Sequence, residues 1–438
     1  MTRNERATRR YQWIAVVMSM TLMSANFLYG AEGESVSDST VSVRDHGAAG
    51  DGVADDTQAF QAAMDAVGAA GGGIVEAPRG TYRISGTLTI PASVTLEGVF
   101  RAVPSHAGIR DAGQPRPDSG TVLLAYAGAG SEEGDPFITI GSSATLRGVV
   151  VYYPEQPPDE IPTPYPWTIA MRRNNPSIID VELLNPYNGI DCTRNQRHLI
   201  RNVQGQPLRR GIYVDSIYDI GRIENVHWNP WFSMKEKLFQ WQMEHGEAFI
   251  FGRTDWQYVL NTFCFGYRVG YRFIESENGV CNGNFLGIGA DDCWVALEVE
   301  NCAPFGLLIT NGEFVSFHGP DPTMIAVSEK NRGSVRFVNC AYWGPNNQIA
   351  KVGGGTVGFS DCTFVQWDRN REGRHAIQAT GGSLIVRGCE FRADAPQVSL
   401  TADVRRAVIT GNLFTGSARI ADAGADNVQI GLNSADED

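Results

Sequence analysis

Two adjacent carboxylates, Asp291 and Asp292, are the residues whose types and spacing most directly suggest acid–base chemistry. The alternating run that follows them predicts a strand with Asp292 and Trp294 on its outer face and Asp291 at the turn into it. Neighbouring carboxylates raise each other's pKa by charge repulsion, which helps one of them to act as an acid near neutral pH. Glycoside hydrolysis requires such an acid together with a base. Asp291 and Asp292 are therefore candidate catalytic residues and Trp294 is a candidate substrate contact; the alternative is that both carboxylates cap backbone amides in a turn.

A segment rich in aromatic side chains, residues 227–279, supplies a second set of candidates. Aromatic rings pack well on the apolar faces of sugar rings, and long loops on a rigid scaffold usually carry function. The candidate catalytic residues of this segment are Glu247 and Asp255. The candidate substrate contacts are Trp228, Trp231, Trp241, His245, Arg253 and Trp256. The alternative is that the aromatic residues form a small core within the insertion.

The elements that position these residues follow from a short phrase that returns about every two dozen residues. It consists of a turn residue, a small residue, a variable residue and an aromatic residue. The aromatic positions are Phe314, Tyr342, Phe364, Phe391 and Phe414, separated by 28, 22, 27 and 23 residues. Alternating runs before most of these phrases predict strands, and such repeats with Asn and Gly turns are typical of a parallel β-helix. We predict an all-β fold over residues 31–438, with coils from about residue 144, one interruption at 227–279, and C-terminal coils over 280–430.

Residues 41–98 predict the start of this solenoid and its cap. Asp55 or Asp56 is placed at the N-cap of a helix that begins near Thr57, and Gly71-Gly72-Gly73 ends it. An open solenoid end exposes core side chains and unpaired backbone groups. An N-terminal capping helix across the first coil is therefore expected.

The same segment resembles the N-terminal hallmark of the pectate-lyase-like superfamily, with its rhamnogalacturonase and epimerase members. The matching stretches are Gly47-Ala48-Ala49-Gly50-Asp51-Gly52, Asp55-Asp56-Thr57, Gly71-Gly72-Gly73-Ile74-Val75 and Pro78-Arg79-Gly80-Thr81-Tyr82. The resemblance implies a single-stranded right-handed parallel β-helix, of the pectin-lyase type, and a polysaccharide substrate. It also implies that this segment caps the fold and does not catalyse, so its aspartates are interpreted as structural.

Asp291-Asp292-Cys293 resembles the Asp-Asp-Cys motif of the polygalacturonase family of glycoside hydrolases. Phe317-His318-Gly319, 26 residues after Asp292, resembles the Gly-His-Gly motif of that family, in which the histidine supports catalysis. The resemblance implies that Asp291 and Asp292 are catalytic and that His318 assists them. The Asn-Thr-Asp and Arg-Ile-Lys motifs of the family have no counterpart at the expected positions.

Charge and the N-terminal sequence restrict the partners and the location. The formal net charge is -13, and only four lysines occur, which argues against a nucleic-acid partner. Residues 1–30 combine four arginines with an apolar stretch that ends among small residues, which is typical of a signal peptide. We therefore expect a secreted or periplasmic protein that has no membrane partner after cleavage of the signal.

Eight cysteines in an exported chain suggest disulfides. Cys340, Cys362 and Cys389, however, occupy equivalent positions of the repeat, which predicts free thiols stacked in the core. The other cysteines leave both interpretations open. No Cys-x-x-Cys or His-x-x-x-His spacing occurs, so no metal site is expected.

Three functions remain as hypotheses. The first is a glycoside hydrolase that cleaves a uronate- or rhamnose-containing polysaccharide with paired carboxylates and needs no cofactor. The second is a polysaccharide lyase, which would use an arginine or lysine base and Ca²⁺ held by acidic residues. The third is a glycan-binding protein without catalytic activity. An ultraviolet-absorbing unsaturated product would distinguish the lyase, and new reducing ends without that absorbance would distinguish the hydrolase.

Overall fold

The computed structural model describes residues 40–102, 104, 114–116 and 119–436. The expected signal peptide, residues 1–30, lies outside the described residues. Within them, none of the helices combines the length and the apolar character that a membrane span requires.

The described chain forms a right-handed parallel β-helix, as predicted from the repeat. One of its sheets, which we name the first sheet, contains 13 strands, all joined in parallel. These strands are Leu88–Ile90, Ile138–Ile140, Trp167–Met171, Asn188–Thr193, Arg210–Asp215, Glu247–Phe251, Val269–Phe273, Val295–Val299, Thr323–Val327, Gln348–Val352, Ile377–Ala379, Val398–Leu400 and Ile420–Asp422.

The remaining strands form a sheet of 27 strands and a separate pair, Arg173–Asn174 with Asn195–Gln196. The strands of the larger sheet are Thr40–Ser42, Asp51–Asp55, Gly73–Glu76, Gly80–Ile84, Val94–Glu97, Thr121–Ala125, Thr145–Arg147, Val150–Tyr152, Ser177–Leu183, Leu199–Gly205, Arg222–Trp228, Thr254–Leu260, Phe263–Phe265, Cys281–Leu286, Gly289–Asp291, Leu307–Thr310, Glu313–Phe314, Ser334–Val338, Ala341–Tyr342, Thr356–Ser360, Thr363–Phe364, Gly382–Arg387, Glu390–Phe391, Val404–Thr410, Leu413–Phe414, Val428–Gly431 and Ser434–Ala435.

This larger sheet bends along a row of single residues in the left-handed backbone conformation. The row comprises Gly148, Asp180, Asn202, Asn225, Asn261, Gly287, Asn311, Asn339, Asp361, Gly388, Gly411 and Leu432. Asn, Asp and Gly tolerate positive φ, which explains why the repeated phrase begins with them. The side-chain amide of Asn339 also donates to Asn311 one coil away, at 2.8 Å. We name the strand segments before this bend the second sheet and those after it the third sheet.

The aromatic residue of the phrase points into the core and stacks on its equivalents in the neighbouring coils. Tyr342 lies 5.6 Å from Phe314 and 5.1 Å from Phe364, measured between ring centroids. Phe391 continues the stack at 4.6 Å from Phe364 and 5.2 Å from Phe414. These distances match the spacing of adjacent parallel strands, because the rings follow the coils in register. All eight cysteines are buried and free, which confirms the stacked thiols.

Helix α1 (Thr57–Ala69) covers the first coil, and the short 3₁₀ helix Val43–His46 packs beside it. The buried face of α1 includes Phe60, Met64 and Val67. Asp56 stands at its N-cap position, and its carboxylate accepts the backbone N–H groups of Ala49 and Gly50. Asp56 therefore joins the cap to the loop before it.

The structure corrects the expected interruption from residues 227–279 to residues 229–246, which contain helix α2 (Glu236–His245). Regular coils resume at Glu247–Phe251. Most aromatic residues after this point therefore belong to the solenoid core: Phe249 stacks on Tyr271 at 4.7 Å, and Phe251 stacks on Phe273 at 5.3 Å.

Candidate active site on the first sheet

Three long loops stand side by side along one edge of the first sheet, each leading from a third-sheet strand to a first-sheet strand. They comprise residues 126–137, 153–166 and 229–246. The backbone N–H of Gly130 donates to the carbonyl of Pro164 at 2.9 Å. Lys237 pairs with Glu160 at 2.8 Å. Because the loops contact one another, they form a continuous wall beside the sheet.

Tyr213 occupies the outer face of the first sheet, in the same row as Asp191. The two residues are register partners on adjacent strands, so their side chains lie one coil apart. The Tyr213 hydroxyl donates to Oδ2 of Asp215 at 3.3 Å, and its ring stacks on Trp167 with centroids 6.3 Å apart. Burial raises the pKa of Tyr213 above its usual value of 10, and the nearby carboxylates of Asp215 and Asp191 raise it further. The phenol therefore stays protonated at physiological pH.

Asp191 carries an acceptor that the protein leaves unused. Its side chain is buried, and Oδ2 pairs with the guanidinium of Arg172. Oδ1 is also buried, and it has no hydrogen-bond partner among the described residues. Buried oxygens almost always have a partner, so Oδ1 needs a donor, such as a water molecule or a bound ligand, that the described residues do not supply.

Asp215, by contrast, is saturated with donors. Its carboxylate accepts the backbone N–H of Arg253 at 2.6 Å, the hydroxyl of Ser276 at 2.7 Å and the amide of Asn278 at 2.9 Å. These bonds fix the carboxylate in the position from which it orients the Tyr213 phenol. Asp215 thus positions Tyr213.

The wall of loops reaches the sheet through Glu132. Arg210 donates to this carboxylate at 2.8 Å, and the Tyr187 hydroxyl donates to it at 3.0 Å. Partial burial alone would raise the pKa of Glu132, but these two partners hold it below its usual value. The ring of Tyr187 packs on half-buried Trp241 at 5.7 Å, and Trp241 lies 4.9 Å from exposed His245. Trp241 and His245, both predicted substrate contacts, therefore border this part of the sheet.

Glu247, a predicted catalytic residue, is buried at the same edge among three guanidinium groups. Arg268 pairs with it at 3.1 Å, Arg209 at 3.5 Å, and Arg272 forms the shortest contact. Burial alone would raise the pKa of Glu247, but the three arginines lower it. A carboxylate that is held ionised in this way is a poor general acid, so these contacts favour an organising role, and the catalytic role of Glu247 stays a prediction.

Arg253 and Asp255 follow the C-terminal end of the strand Glu247–Phe251, and the backbone N–H of Arg253 donates to Asp215. Their side chains form two parallel hydrogen bonds of 2.6 and 2.7 Å, and Asn282 adds a third contact to Asp255 at 2.9 Å. Asp255 is therefore engaged by its neighbours, which argues against the predicted role as a free acid or base. Trp256 next to it is 59% exposed and adopts a positive φ of 56°.

The structure brings Asp292 and His318 together, as the one-coil separation predicted. Nδ1 of His318 contacts Oδ1 of Asp292, whose side chain is buried. Burial and the charge of Asp291 raise the pKa of Asp292, and His318 opposes that shift. Asp292 does not lie within the predicted strand: the strand ends at Asp291, and Asp292 adopts a positive φ of 56° with a buried side chain. Asp291 is the last strand residue and lines a groove on the third sheet, and half-buried Trp294 packs against Gly319.

Two of the predicted substrate contacts are wrong. Trp228 is fully buried in the solenoid core, and Trp231 is 4% exposed beneath the loop 229–246. Both rings stabilise the protein, which agrees with the alternative that the aromatic residues form a core.

Sequence reasoning did not select Arg172, Asp191, Tyr213 or Asp215 as site residues. The signal was present, because Asp191 and Tyr213 are 22 residues apart, the same step as Gly189-Ile190 and Gly211-Ile212. A residue-by-residue alignment of the coils would have placed Asp191 and Tyr213 at the same position of adjacent coils.

Within the described part of the chain, no group of three or more His, Cys, Asp and Glu residues is arranged to hold a metal ion. The Ca²⁺ requirement of a lyase stays a prediction.

Known families and proteins match the N-terminal segment of this chain. The family model described as rhamnogalacturonase A/epimerase, pectate lyase-like, matches residues 40–111. Mannuronan C5-epimerase AlgE1 of Azotobacter vinelandii is 54% identical over 63 residues, which is 13% of this chain and 4% of that protein. Alginate lyase 7 of the same organism is 61% identical over 44 residues, or 10% of this chain and 5% of that protein. These matches cover only a small part of this chain and of each relative, and they confirm the resemblance predicted from residues 41–98.

Solved structures resemble nearly the whole chain. The surface adhesin PfbA of Streptococcus pneumoniae has a TM-score of 0.51 and 14% identity, covering 88% of this chain and 91% of that one. DFA-IIIase from Arthrobacter chlorophenolicus A6, in complex with GF2, has a TM-score of 0.50 and 12% identity, covering 90% and 99%. At this identity the likeness shows the fold alone.

Proposed function

We propose that this pectate-lyase-like right-handed parallel β-helix is a carbohydrate-active enzyme that acts on a uronate-containing polysaccharide at its first sheet. The observation that carries the proposal is the row of Asp191 and Tyr213 with Arg172 beside it. The epimerases and the alginate lyase that match the N-terminal segment support a uronate substrate, since their names refer to mannuronan and alginate. Export through residues 1–30 is part of the same proposal.

The chemistry that suits these residues is removal of the proton on the carbon next to the uronate carboxylate. The Asp191 carboxylate accepts that proton, since its Oδ1 has no partner among the described residues, and substrate binding must uncover this buried oxygen. Tyr213 keeps its own proton, because its pKa is raised, and donates it. In elimination the electron pair forms a C4–C5 double bond, the C4–O4 bond breaks, and Tyr213 protonates the leaving oxygen. In epimerisation Tyr213 returns a proton to C5 from the opposite face, and no bond of the chain breaks.

The arginines supply the positive charge that this reaction requires. The side chains of Arg172 and Arg210 are both 31% exposed, so solvent reaches part of each. A guanidinium binds a carboxylate with two parallel hydrogen bonds, which stabilises the charge that develops when the proton leaves. With a formal net charge of -13, the molecule offers no long-range attraction to a polyanion, so such local contacts must recognise it.

The test is turnover of polymannuronate and polygalacturonate, followed by ultraviolet absorbance, reducing ends and exchange of deuterium from D₂O into the C5 position. Tyr213→Phe and Asp191→Asn are expected to lower the rate roughly 10²- to 10⁴-fold, the range of general acid–base catalysis. Tyr218→Phe is the matched control, because that ring is 54% exposed. Full activity of both variants would refute the proposed site. Binding of a uronate chain without turnover in the native protein would instead support the glycan-binding alternative.

Glycoside hydrolysis by Asp291 and Asp292 is the second candidate function. The observation that favours it is the raised pKa of buried Asp292, which suits a general acid, together with its contact to His318. This mechanism predicts new reducing ends without ultraviolet absorbance and their loss in Asp292→Asn. Unchanged release of reducing ends by that variant would eliminate it.

A further inference from the structure

A groove of about 500 Å³ lies on the outer face of the third sheet, away from the first-sheet residues described above. Its lining includes Phe263, Gly289, Asp291, Glu313 and Trp343, and we name it the third-sheet groove. The first-sheet site and this groove use different sheets of the same coils.

The depth of the groove follows from the register of the coils. Gly289 pairs with Phe263 on one side and Glu313 on the other, so one member of this row has no side chain. A Cβ at Gly289 would lie 3.0 Å from the ring of Phe263, which is tighter than ordinary contact. The ring therefore leans over the glycine and forms one wall, while Glu313 stands on the opposite side.

The chemistry of the lining suits a sugar. Trp343 is 43% exposed, and an indole face packs well on the C–H face of a pyranose ring. Asp291 is half-buried and Glu313 is exposed, and carboxylate oxygens accept hydrogen bonds from sugar hydroxyls.

The charge of the lining selects the class of sugar. Asp291 and Glu313 contribute two carboxylates, His227 contributes an imidazole, and no Lys or Arg occurs among the described residues that line the groove. A uronate would meet like charge there. The arginines of the first sheet have the opposite preference.

We propose that the third-sheet groove is a binding site for a neutral pyranose oligosaccharide, with Trp343 as its platform. The site would hold the enzyme on a neutral glycan while the first sheet acts on a uronate chain. This role of the groove rests on the proposed function. Binding itself requires no turnover.

The experiment is isothermal titration calorimetry of the full chain with neutral cello-, manno- and xylo-oligosaccharides and with an oligouronate as comparison. Trp343→Ala is expected to weaken binding of the neutral ligand roughly tenfold or more. Phe305→Ala, which removes a ring that is 70% exposed and does not line the groove, should leave the neutral affinity unchanged. Glu313→Gln keeps the shape of the groove and should allow the oligouronate to bind there.

Tyr213→Phe separates the two proposals. Neutral binding that survives in Tyr213→Phe while uronate turnover is lost supports both, and neutral binding in a protein that turns over no uronate supports the groove alone. The groove proposal is overturned if no neutral oligosaccharide gives saturable heat, or if Trp343→Ala binds as tightly as the native protein. A circular dichroism spectrum of Trp343→Ala that matches the native spectrum would show that the variant is folded.

Discussion

Two buried carboxylates of the first sheet, Glu247 and Asp191, differ in how many partners they have. Glu247 has a side chain that is 6% exposed and three arginine partners, whereas Asp191 has one such partner and one unused oxygen. Removing one partner of a buried pair leaves the other charges without compensation. The difference between a saturated and an unsaturated carboxylate therefore separates a structural role from a ligand-binding one.

Glu247→Gln is expected to lower the free energy of unfolding by about 3–5 kcal/mol at neutral pH, because three guanidinium groups lose their shared carboxylate. The pKa of Glu247 is lowered in the folded state, so its contribution is present above the ordinary value of 4.5 and is lost as the pH falls through the folded pKa. Urea unfolding of both proteins from pH 7 downwards measures this, and the difference should shrink in acid.

Glu300→Gln is the control for that measurement, since Glu300 pairs with a Lys330 that is 66% exposed. Exposed pairs contribute about 0–1 kcal/mol. Equal effects of the two substitutions would show that the arginines around Glu247 do not depend on it.

At the scale of elements, stability comes from identical positions stacked through successive coils. The bend row fixes where the second sheet turns into the third, and the aromatic residue three positions later fills the interior behind it. This regularity is why the phrase could be read from the sequence: the turn needs Asn, Asp or Gly, and the core needs a large ring.

Phe364→Ala should therefore be strongly destabilising, because the ring lies between Tyr342 and Phe391 with centroids 5.1 and 4.6 Å away. Truncating a buried phenylalanine costs about 3–5 kcal/mol. Leu413→Ala, at a side chain that is 57% exposed, should change stability by less than about 0.5 kcal/mol. Chemical unfolding of both variants decides the matter, and a similar cost for the two would contradict the stacked-core description.

For the whole molecule, the helix that caps the first coil protects the open end of the solenoid. Helix α1 buries Phe60 and Met64 against the first coil, where the strands would otherwise end in open edges. Uncovered ends of repeat proteins pair with other chains.

The double substitution Phe60→Ala with Met64→Ala is expected to loosen α1 and to produce concentration-dependent association. Sedimentation velocity over a range of protein concentrations measures it. Gln58→Ala, on the exposed side of the same helix, should sediment as the native protein does. Unaltered sedimentation of the double variant would show that α1 is dispensable as a cap.

The sequence by itself determined the coil, its cap and its stacked core, because these depend on local rules that repeat with the chain: alternation in strands, left-handed turns at Asn and Gly, and an aromatic residue at a fixed distance. It also brought His318 to Asp292, since one coil separates them. Only the tertiary structure decided which side chains share a surface. Loops of different length separate coils along the chain, so only the fold shows that Arg172 pairs with Asp191 and that Asp291 and Trp343 line one groove. Burial, which sealed Trp228 and Trp231 in the core, depends on what packs above a residue, and no local pattern records that.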